Sequence, residues 1–179
     1  ARDIETLVLY SLDPVEKRQA FADSLKDIIS CDIVLADDPA VAVGEADIVT
    51  LITSAKDPIV QGDWFRPGTH INGVGSHAPH MRELDALSVQ RSYVICDLVD
   101  ACKAEAGDFM IPADAGEWSW DDCGGSLGDV ITNKVAGRSN ADEITLFKSV
   151  GLAIQDISVA FHVYNKALEL GTGKDFAFY

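Results

Sequence analysis

Long apolar stretches are absent from this chain of 179 residues, and this absence bears on where the protein can reside. A helix that crosses a bilayer needs about 20 consecutive, mainly apolar residues, and no run in the sequence approaches that length. The first residues, ARDIETLVLYSLDP, also lack the basic stretch, apolar core and small-residue cleavage site of a secretion signal. We therefore expect a cytoplasmic protein with no membrane partner.

Basic residues are scarce, with 14 Lys and Arg against 29 Asp and Glu and a formal net charge of −15. Proteins that bind nucleic acids place clustered Lys and Arg side chains against the phosphates, so a nucleic acid partner is not expected. The acidity suits either an ordinary cytosolic protein or a high-salt cytoplasm, in which salt screens the repulsion between like charges.

Regularly spaced cysteine pairs are also missing. The four cysteines are Cys31, Cys96, Cys102 and Cys123. They form no C-x-x-C motif, and in a cytoplasmic protein they are expected to be reduced, mostly buried thiols. A zinc site built from His77, His80 and two cysteines can be imagined, but the short ligand spacing of structural zinc modules is absent. No bound metal is predicted.

Apolar, β-prone runs recur along the first half of the chain. They cover residues 6–10, 32–36, 46–53, 69–75 and 92–97. Short segments with helical spacing, such as residues 14–25, lie between some of them. Strands that alternate with short helices indicate βαβ units, so the sequence predicts an α/β fold with a parallel, doubly wound sheet.

A long amphipathic helix is predicted near the end of the chain. The segment 139–142 is typical of a helix start, and apolar residues recur at three- and four-residue steps from Val150 to Leu168. Gly171 is expected to end this helix. The apolar stripe is wide for a surface helix, so we expect another element or a partner to cover it.

Small polar residues follow several of the predicted strands. Ser11, Thr53 and Asn72 stand at or just beyond three strand ends. Ligands of doubly wound sheets bind outside the carboxyl ends of the strands, so these positions predict a ligand site at that edge of the sheet.

Four segments resemble the ornithine cyclodeaminase and mu-crystallin family. They read ADIVTLITSAKDPIV, WFRPGTHINGVGSHAPHMRELD, EAGDFMIP and GRSNADEITLFKSVGLAIQD. The family also includes archaeal alanine dehydrogenases and ketimine reductases, and the resemblance extends over essentially the whole chain. It implies a Rossmann-like, mainly parallel sheet that binds a nicotinamide dinucleotide.

The glycine-rich turn of such a domain, GxGxxG or GxGxxA followed by a helix, is absent. In the family this turn follows the first Rossmann strand, which in turn follows a substrate-binding and dimerisation region. The resemblance thus implies a C-terminal fragment that is inactive alone and lacks the central strand between those at 6–10 and 46–53. We expect a partial Rossmann NAD(P)-binding domain at 1–137 and a C-terminal helix and tail at 138–179, which would pack with the missing region of a full-length homodimer.

The resemblance also implies a set of site residues. The cofactor-binding set is Ser11, Thr53, Ser54, Ile71, Asn72, Gly73, Val74 and Ser149. Val150 resembles a substrate contact at a helix start. Gly73 and Gly75 lack a Cβ atom, which would let the nicotinamide and its ribose approach the backbone, although a tight turn would need the same glycines.

Ser11 bears on the choice between NADP and NAD. Family members usually have an acidic residue there that binds the adenosine ribose, and a carboxylate would repel a 2′-phosphate. Because serine can donate a hydrogen bond to that phosphate, the sequence favours NADP over NAD. A neutral substitution in an NAD enzyme is the alternative.

His77 is the main departure from the cyclodeaminases, which have a proton-handling aspartate in this motif. A histidine could exchange a proton with an imine or amine nitrogen, and it is the candidate catalytic residue; a spectator role is the alternative. Arg82, Glu83 and Asp85 are interpreted as a helix start with local ion pairing.

The resemblance implies an NAD(P)-dependent oxidoreductase that acts on the CH–NH group of a small amino or imino acid. Ketimine reduction and oxidative deamination of an amino acid such as alanine are the two directions of that chemistry. Because the aspartate is missing, conversion of ornithine to proline and ammonia is the alternative. A second alternative is a non-enzymatic, NADPH-binding role like that of mu-crystallins.

Overall fold

The computed structural model of the protein describes residues 2–174, 176 and 177, so the extreme ends of the two predicted domains lie outside the described residues. The strands are β1 (Thr6–Leu9), β2 (Asp32–Leu35), β3 (Ile48–Leu51), β4 (His70–Gly73), β5 (Ser92–Cys96) and β6 (Ile144–Lys148). The helices are α1 (Val15–Leu25), α2 (Pro39–Gly44), α3 (Ala86–Gln90), α4 (Val99–Glu105), α5 (Gly107–Asp114), α6 (Leu127–Ile131) and α7 (Ala153–Leu170), with 3₁₀ helices at Gly62–Trp64 and Trp120–Asp122.

All strand pairs are parallel and form two sheets. One sheet contains β1 and β2, and the other has the order β3-β4-β6-β5. The α/β class and the parallel, Rossmann-like arrangement of strands and helices are therefore confirmed. Within the described residues no hydrogen-bonded ladder joins β1 to β3. According to the family resemblance, the missing strand belongs between these two strands.

The core lies on one face of the four-stranded sheet. Side chains of alternate residues, among them Leu51, Ile71 and Leu146, point into it and are buried. Phe109 on α5 covers them and packs against Trp118 with ring centroids 5.2 Å apart. The carboxyl-terminal ends of these strands are thus fixed by packing on one face.

The predicted start of the C-terminal helix is wrong. Residues 144–148, with the sequence ITLFK, form β6 between β4 and β5, and α7 begins only at Ala153. The alternating burial of ITLFK fits a strand. Gly151 then adopts a φ of 88°, which breaks the chain direction before the helix. Ser149 and Val150 therefore lie in a loop and not at a helix start. The division at 137/138 itself stays a prediction.

Helix α7 ends where the sequence predicts and carries a long exposed apolar stripe. Gly171 has a left-handed φ of 62° at the end of the helix. The side chains of the stripe are between 61% and 67% exposed; they include Ile154, Ile157, Phe161, Tyr164 and Leu168. No described helix is both long and apolar enough to cross a membrane.

An ion pair with no solvent contact links β6 to α5. Lys148 Nζ lies 2.8 Å from Asp108 Oδ2, and both side chains are fully buried. Such a pair is costly to desolvate, and removing one partner leaves the other charge buried without compensation.

We expect Lys148→Met to lower the free energy of unfolding by about 3–5 kcal/mol, because Asp108 would keep its charge without its cation. The matched control is Lys166→Met, which removes a cation from the exposed pair with Glu169 on α7. That change is expected to cost at most about 1 kcal/mol. Urea unfolding followed by far-UV circular dichroism measures both, and equal losses for the two variants would contradict this account.

Candidate functional site

The carboxyl-terminal ends of β3, β4 and β6 meet at one edge of the sheet. Val74 N donates to Leu51 O over 2.9 Å, and Ser149 N donates to Gly73 O over 3.0 Å. We call this edge the rim and define it as residues 53–54, 73–77 and 149–151. The chain segments that contain Thr53, Gly73 and Ser149, three of the predicted cofactor residues, thus lie side by side at this edge.

The Glu83 carboxylate holds the two ends of β3 and β4 together. This side chain is fully buried. Its Oε1 accepts from Thr53 N over 2.6 Å, and its Oε2 accepts from Gly75 N over 2.8 Å and from Ser76 N over 3.2 Å. Three backbone donors on two oxygens match an ionised carboxylate, which has acceptor sites only.

Asp108 in turn holds the backbone of Glu83. Its Oδ1 accepts from Glu83 N over 2.6 Å and from Leu84 N over 2.9 Å, while Oδ2 accepts from Lys148 Nζ. A continuous chain of buried polar contacts therefore runs from β6 through α5 to the rim.

Asp97 holds the third part of the rim. It directly follows β5, and its Oδ2 accepts from Ser149 Oγ over 2.9 Å, from Val150 N over 2.9 Å and from Gly151 N over 3.0 Å. The loop between β6 and α7 is thereby fixed to the end of β5.

At Gly73 and Gly75 the place of a Cβ atom adjoins protein atoms, whereas at Gly151 it is open. A Cβ atom on Gly75 would lie 2.2 Å from Thr53 O and 2.3 Å from Glu83 Oε1, so no other residue fits there. A Cβ atom on Gly73 would lie 3.5 Å from Lys148 Cδ, which is an ordinary contact. At Gly75 the close approach of Thr53 and Glu83 already requires glycine, as a tight turn would, and the approach of a cofactor to these glycines stays a prediction.

His77 is an exposed, titratable side chain of the rim. Its Nδ1 lies 2.8 Å from Gly75 O. Because a carbonyl only accepts, Nδ1 carries the proton, and in the neutral ring the lone pair is on Nε2. The tautomer is thus set so that Nε2 can accept a proton or, once charged, give one.

The other predicted cofactor residues divide between the rim surface and the interior. Thr53 and Ser54 are exposed, and Val74 is half-buried. Ile71 is fully buried in the core, so its side chain packs and does not reach the rim. Asn72 Nδ2 donates to Thr50 Oγ1 over 3.3 Å.

Val150, the predicted substrate contact, is half-buried and packs against the core. Its backbone N–H is held by Asp97.

Ser11 lies beyond β1 and its hydroxyl is already engaged. Ser11 Oγ donates to Asp13 Oδ2 over 3.2 Å, and Lys17 Nζ donates to Asp13 Oδ1 over 2.6 Å. These hydrogen bonds, that of Lys17 first, lower the pKa of Asp13 below its usual value. Arg18, the next basic residue along the chain, pairs with Asp37 over 2.9 Å. An ionised carboxylate therefore lies beside Ser11.

Sequence reasoning missed the four residues that hold the rim, which are Glu83, Asp97, Asp108 and Lys148. The local ion pairing expected around Glu83 is wrong, because Arg82 Nε donates to Leu84 O. The predicted helix start is present, since Asp85 accepts from Ser88 N as the N-cap of α3. Asp97 is the last residue of a predicted strand, as Thr53 is, so the rule that selected Thr53 would also have selected it.

No group of three or more His, Cys, Asp or Glu side chains in the part of the chain that the structure describes is arranged to hold a metal ion.

Two curated relatives share much of this sequence. A Δ(1)-pyrroline-2-carboxylate reductase of Bacillus cereus is 38% identical over 99% of this chain and 54% of the relative. An alanine dehydrogenase of Archaeoglobus fulgidus is 33% identical over 79% of this chain and 44% of the relative. The chain thus spans about half the length of the curated relatives it matches.

Solved structures of a reductase and of an alanine dehydrogenase also match this chain. The Δ(1)-pyrroline-2-carboxylate reductase of Thermococcus litoralis, in complex with NADH and L-proline, matches with a TM-score of 0.93 and 36% identity over 98% of this chain and 54% of that one. An archaeal alanine dehydrogenase dimer with bound NAD matches with a TM-score of 0.87 and 29% identity, over 99% and 54%. A family model described as ornithine cyclodeaminase/mu-crystallin family matches residues 1–171. The chain belongs to the ornithine cyclodeaminase and mu-crystallin family.

Proposed function

We propose that this chain is the dinucleotide-binding part of a reductase that converts a small cyclic ketimine carboxylate, such as Δ(1)-pyrroline-2-carboxylate, into the corresponding amino acid. One observation carries the proposal: the ends of β3, β4 and β6 form a single rim, held from within by Glu83 and Asp97. A related reductase of the same fold has been solved with NADH and L-proline bound. Proline is the amino acid that reduction of this ketimine yields.

The chemistry requires a hydride at the imine carbon and a proton at the imine nitrogen. A bound nicotinamide dinucleotide supplies the hydride. Nε2 of His77 is suited to hold the proton, because Nδ1 is committed to Gly75 O. The rim backbone orients both reactants, and orientation supplies a large part of the rate enhancement in such reactions.

The contacts of Ser11 favour NAD(H) over NADP(H). Its hydroxyl donates to the ionised Asp13, whose charge would repel a 2′-phosphate. Lys17 and Arg18 are paired with carboxylates, which reduces their value as counter-charges. The serine that favours NADP in the sequence is therefore hydrogen-bonded to a carboxylate in the structure.

Two further expectations are part of the proposal. A homodimer is supported by the dimer found for an archaeal alanine dehydrogenase. The cytoplasm is the expected compartment. An alanine-forming reaction from pyruvate and ammonia is the second candidate function, because a curated alanine dehydrogenase is 33% identical to this chain.

The test of function uses the product of the complete reading frame that encodes this chain. Titration with NADH and NADPH, followed by assays with Δ(1)-pyrroline-2-carboxylate, pyruvate plus ammonia, and ornithine, separates the candidates. We expect tighter binding of NADH and the highest kcat/KM with the cyclic ketimine. Faster formation of proline from ornithine would contradict the proposal, and tight binding without turnover would favour a binding protein.

Glu83→Gln is expected to weaken NADH binding about tenfold, since the amide NH₂ would face a backbone donor and the rim would lose at least one hydrogen bond. Faster amide exchange of Thr53, Gly75 and Ser76 should accompany the loss. Asp85→Asn is the matched control, because Asp85 also accepts backbone N–H groups, those of Gly62 and Ser88, away from the rim.

The control should lose stability and keep the affinity of the wild type. Calorimetric titration and thermal unfolding measure the two quantities separately. An unchanged affinity in a folded Glu83→Gln variant would show that Glu83 does not position the site, even if the wild type binds NADH well.

His77→Gln is expected to lower kcat about 10²–10⁴-fold with little change in KM, because the glutamine amide cannot deliver a proton to the imine nitrogen. His80→Gln, a change of an exposed histidine three residues further along the same loop, is the control and should leave kcat unaffected. Steady-state kinetics at neutral pH measure both. A wild-type kcat in the His77 variant would assign the proton to another donor.

A further inference from the structure

Two cysteine thiols contact each other beside the rim. Cys96 is the last residue of β5, and Cys123 follows the 3₁₀ helix at Trp120–Asp122. Their Sγ atoms lie 3.8 Å apart.

The two backbones are also held side by side. Gly124 N donates to Val94 O, and Cys96 N donates to Gly125 O, each over 2.9 Å. The thiols are therefore neighbours because the segment after Cys123 runs along β5.

The two thiols differ in exposure and in acidity. Cys123 is half-buried, and its hydrogen bond with Cys96 lowers its pKa to about 6, helped by the Gly125 backbone and the charge of Lys103. Cys96 is fully buried, and hydrogen bonds with Cys102 and Cys123, together with burial, raise its pKa. Because the thiolate is the reactive form, Cys123 is the nucleophile of the pair.

We propose that Cys96 and Cys123 are a thiol–disulfide couple, a modification site at which low-molecular-weight disulfides form a reversible bond between the two residues. This site is distinct from the hydride-transfer chemistry, and the proposal does not depend on the proposed function.

The reaction is two successive exchanges. The Cys123 thiolate attacks one sulfur of a disulfide RSSR, forms a mixed disulfide and expels RS⁻, which takes up a proton. Cys96 then attacks Cys123 Sγ, its proton passes to the second departing RS⁻, and the Cys96–Cys123 bond forms. The two cysteines lose two electrons, and RSSR is reduced to two RSH.

Closing this bond requires a small movement. A disulfide has an S–S distance of about 2.0 Å, so the 3.8 Å separation must shrink by less than about 2 Å. Because β5 is held by its ladder with β6, the proposal assigns this movement to the Cys123 side chain and to the end of the short 3₁₀ helix before it. Asp97 directly follows Cys96, so the bond forms next to the residue that holds Ser149 and Gly151.

The other two cysteines act as internal references. Cys102 Sγ donates to Asp97 Oδ1 over 3.4 Å and is fully buried. Cys31 immediately precedes β2, which belongs to the other sheet. We expect Cys102 to stay reduced and Cys31 to form at most a mixed disulfide.

The experiment treats the folded product of the complete reading frame with glutathione disulfide. Free thiols are then alkylated under denaturing conditions, and peptide mass spectrometry identifies the state of each cysteine. We expect a peptide cross-linked between Cys96 and Cys123, which reduced glutathione returns to two free thiols, with the far-UV circular dichroism unchanged.

Variants test the assigned order of attack. Cys96→Ala should trap glutathione on Cys123, and Cys123→Ser should leave Cys96 unmodified because it is buried. Cys102→Ala is the matched control, since it removes a buried neighbouring thiol and should still allow the cross-link.

A wild-type protein in which Cys123 keeps glutathione, in which Cys96 links to Cys102, or in which both thiols stay free would overturn the proposal. The wild-type result alone decides the matter if a variant does not fold.

Discussion

Hydrogen bonds from backbone N–H groups to buried carboxylates hold the rim of this protein in place. Where a parallel strand ends, the N–H groups of the following loop leave the ladder and need other partners. Glu83, Asp97 and Asp108 provide them, each from inside the molecule. A carboxylate suits this task because it has only acceptor sites and can serve several donors at once. The cost of burying these charges is met by the donors and, for Asp108, by Lys148.

This arrangement explains how the rim can be both well defined and open. The N–H groups of Thr53, Gly75 and Val150 are satisfied from the core side, so the rim does not need bulky side chains over it to keep its shape. Thr53 and Ser54 remain exposed at the surface. Gly75 has the opposite requirement, because the backbone of Thr53 and the carboxylate of Glu83 occupy the place of its Cβ atom.

The parts that could be predicted are those that depend on short segments. Strands β1 to β5 follow from runs of apolar residues, and parallel pairing brings the carboxyl ends of β3, β4 and β5 to one edge of the four-stranded sheet. The strand β6 could not be distinguished from the start of α7 in the sequence, because apolar residues continue from one element into the next. The pair of Asp108 and Lys148 joins positions 40 residues apart, and Glu83 bonds to Thr53 across 30 residues. Local periodicity contains no information on such pairs.

The family resemblance identified positions at the rim, whereas the contacts show which of them are free to vary. His77 is exposed and is bound to the rim through the carbonyl of Gly75, so another side chain can replace it without disturbing the network of Glu83. Ser11 is likewise held by its neighbour Asp13 and has no part in that network. The hydrogen bonds that hold the rim therefore come from buried carboxylates, while exposed side chains such as His77 contribute little to them. The physical consequence is that an exposed residue of the rim can change without loss of the backbone geometry beneath it.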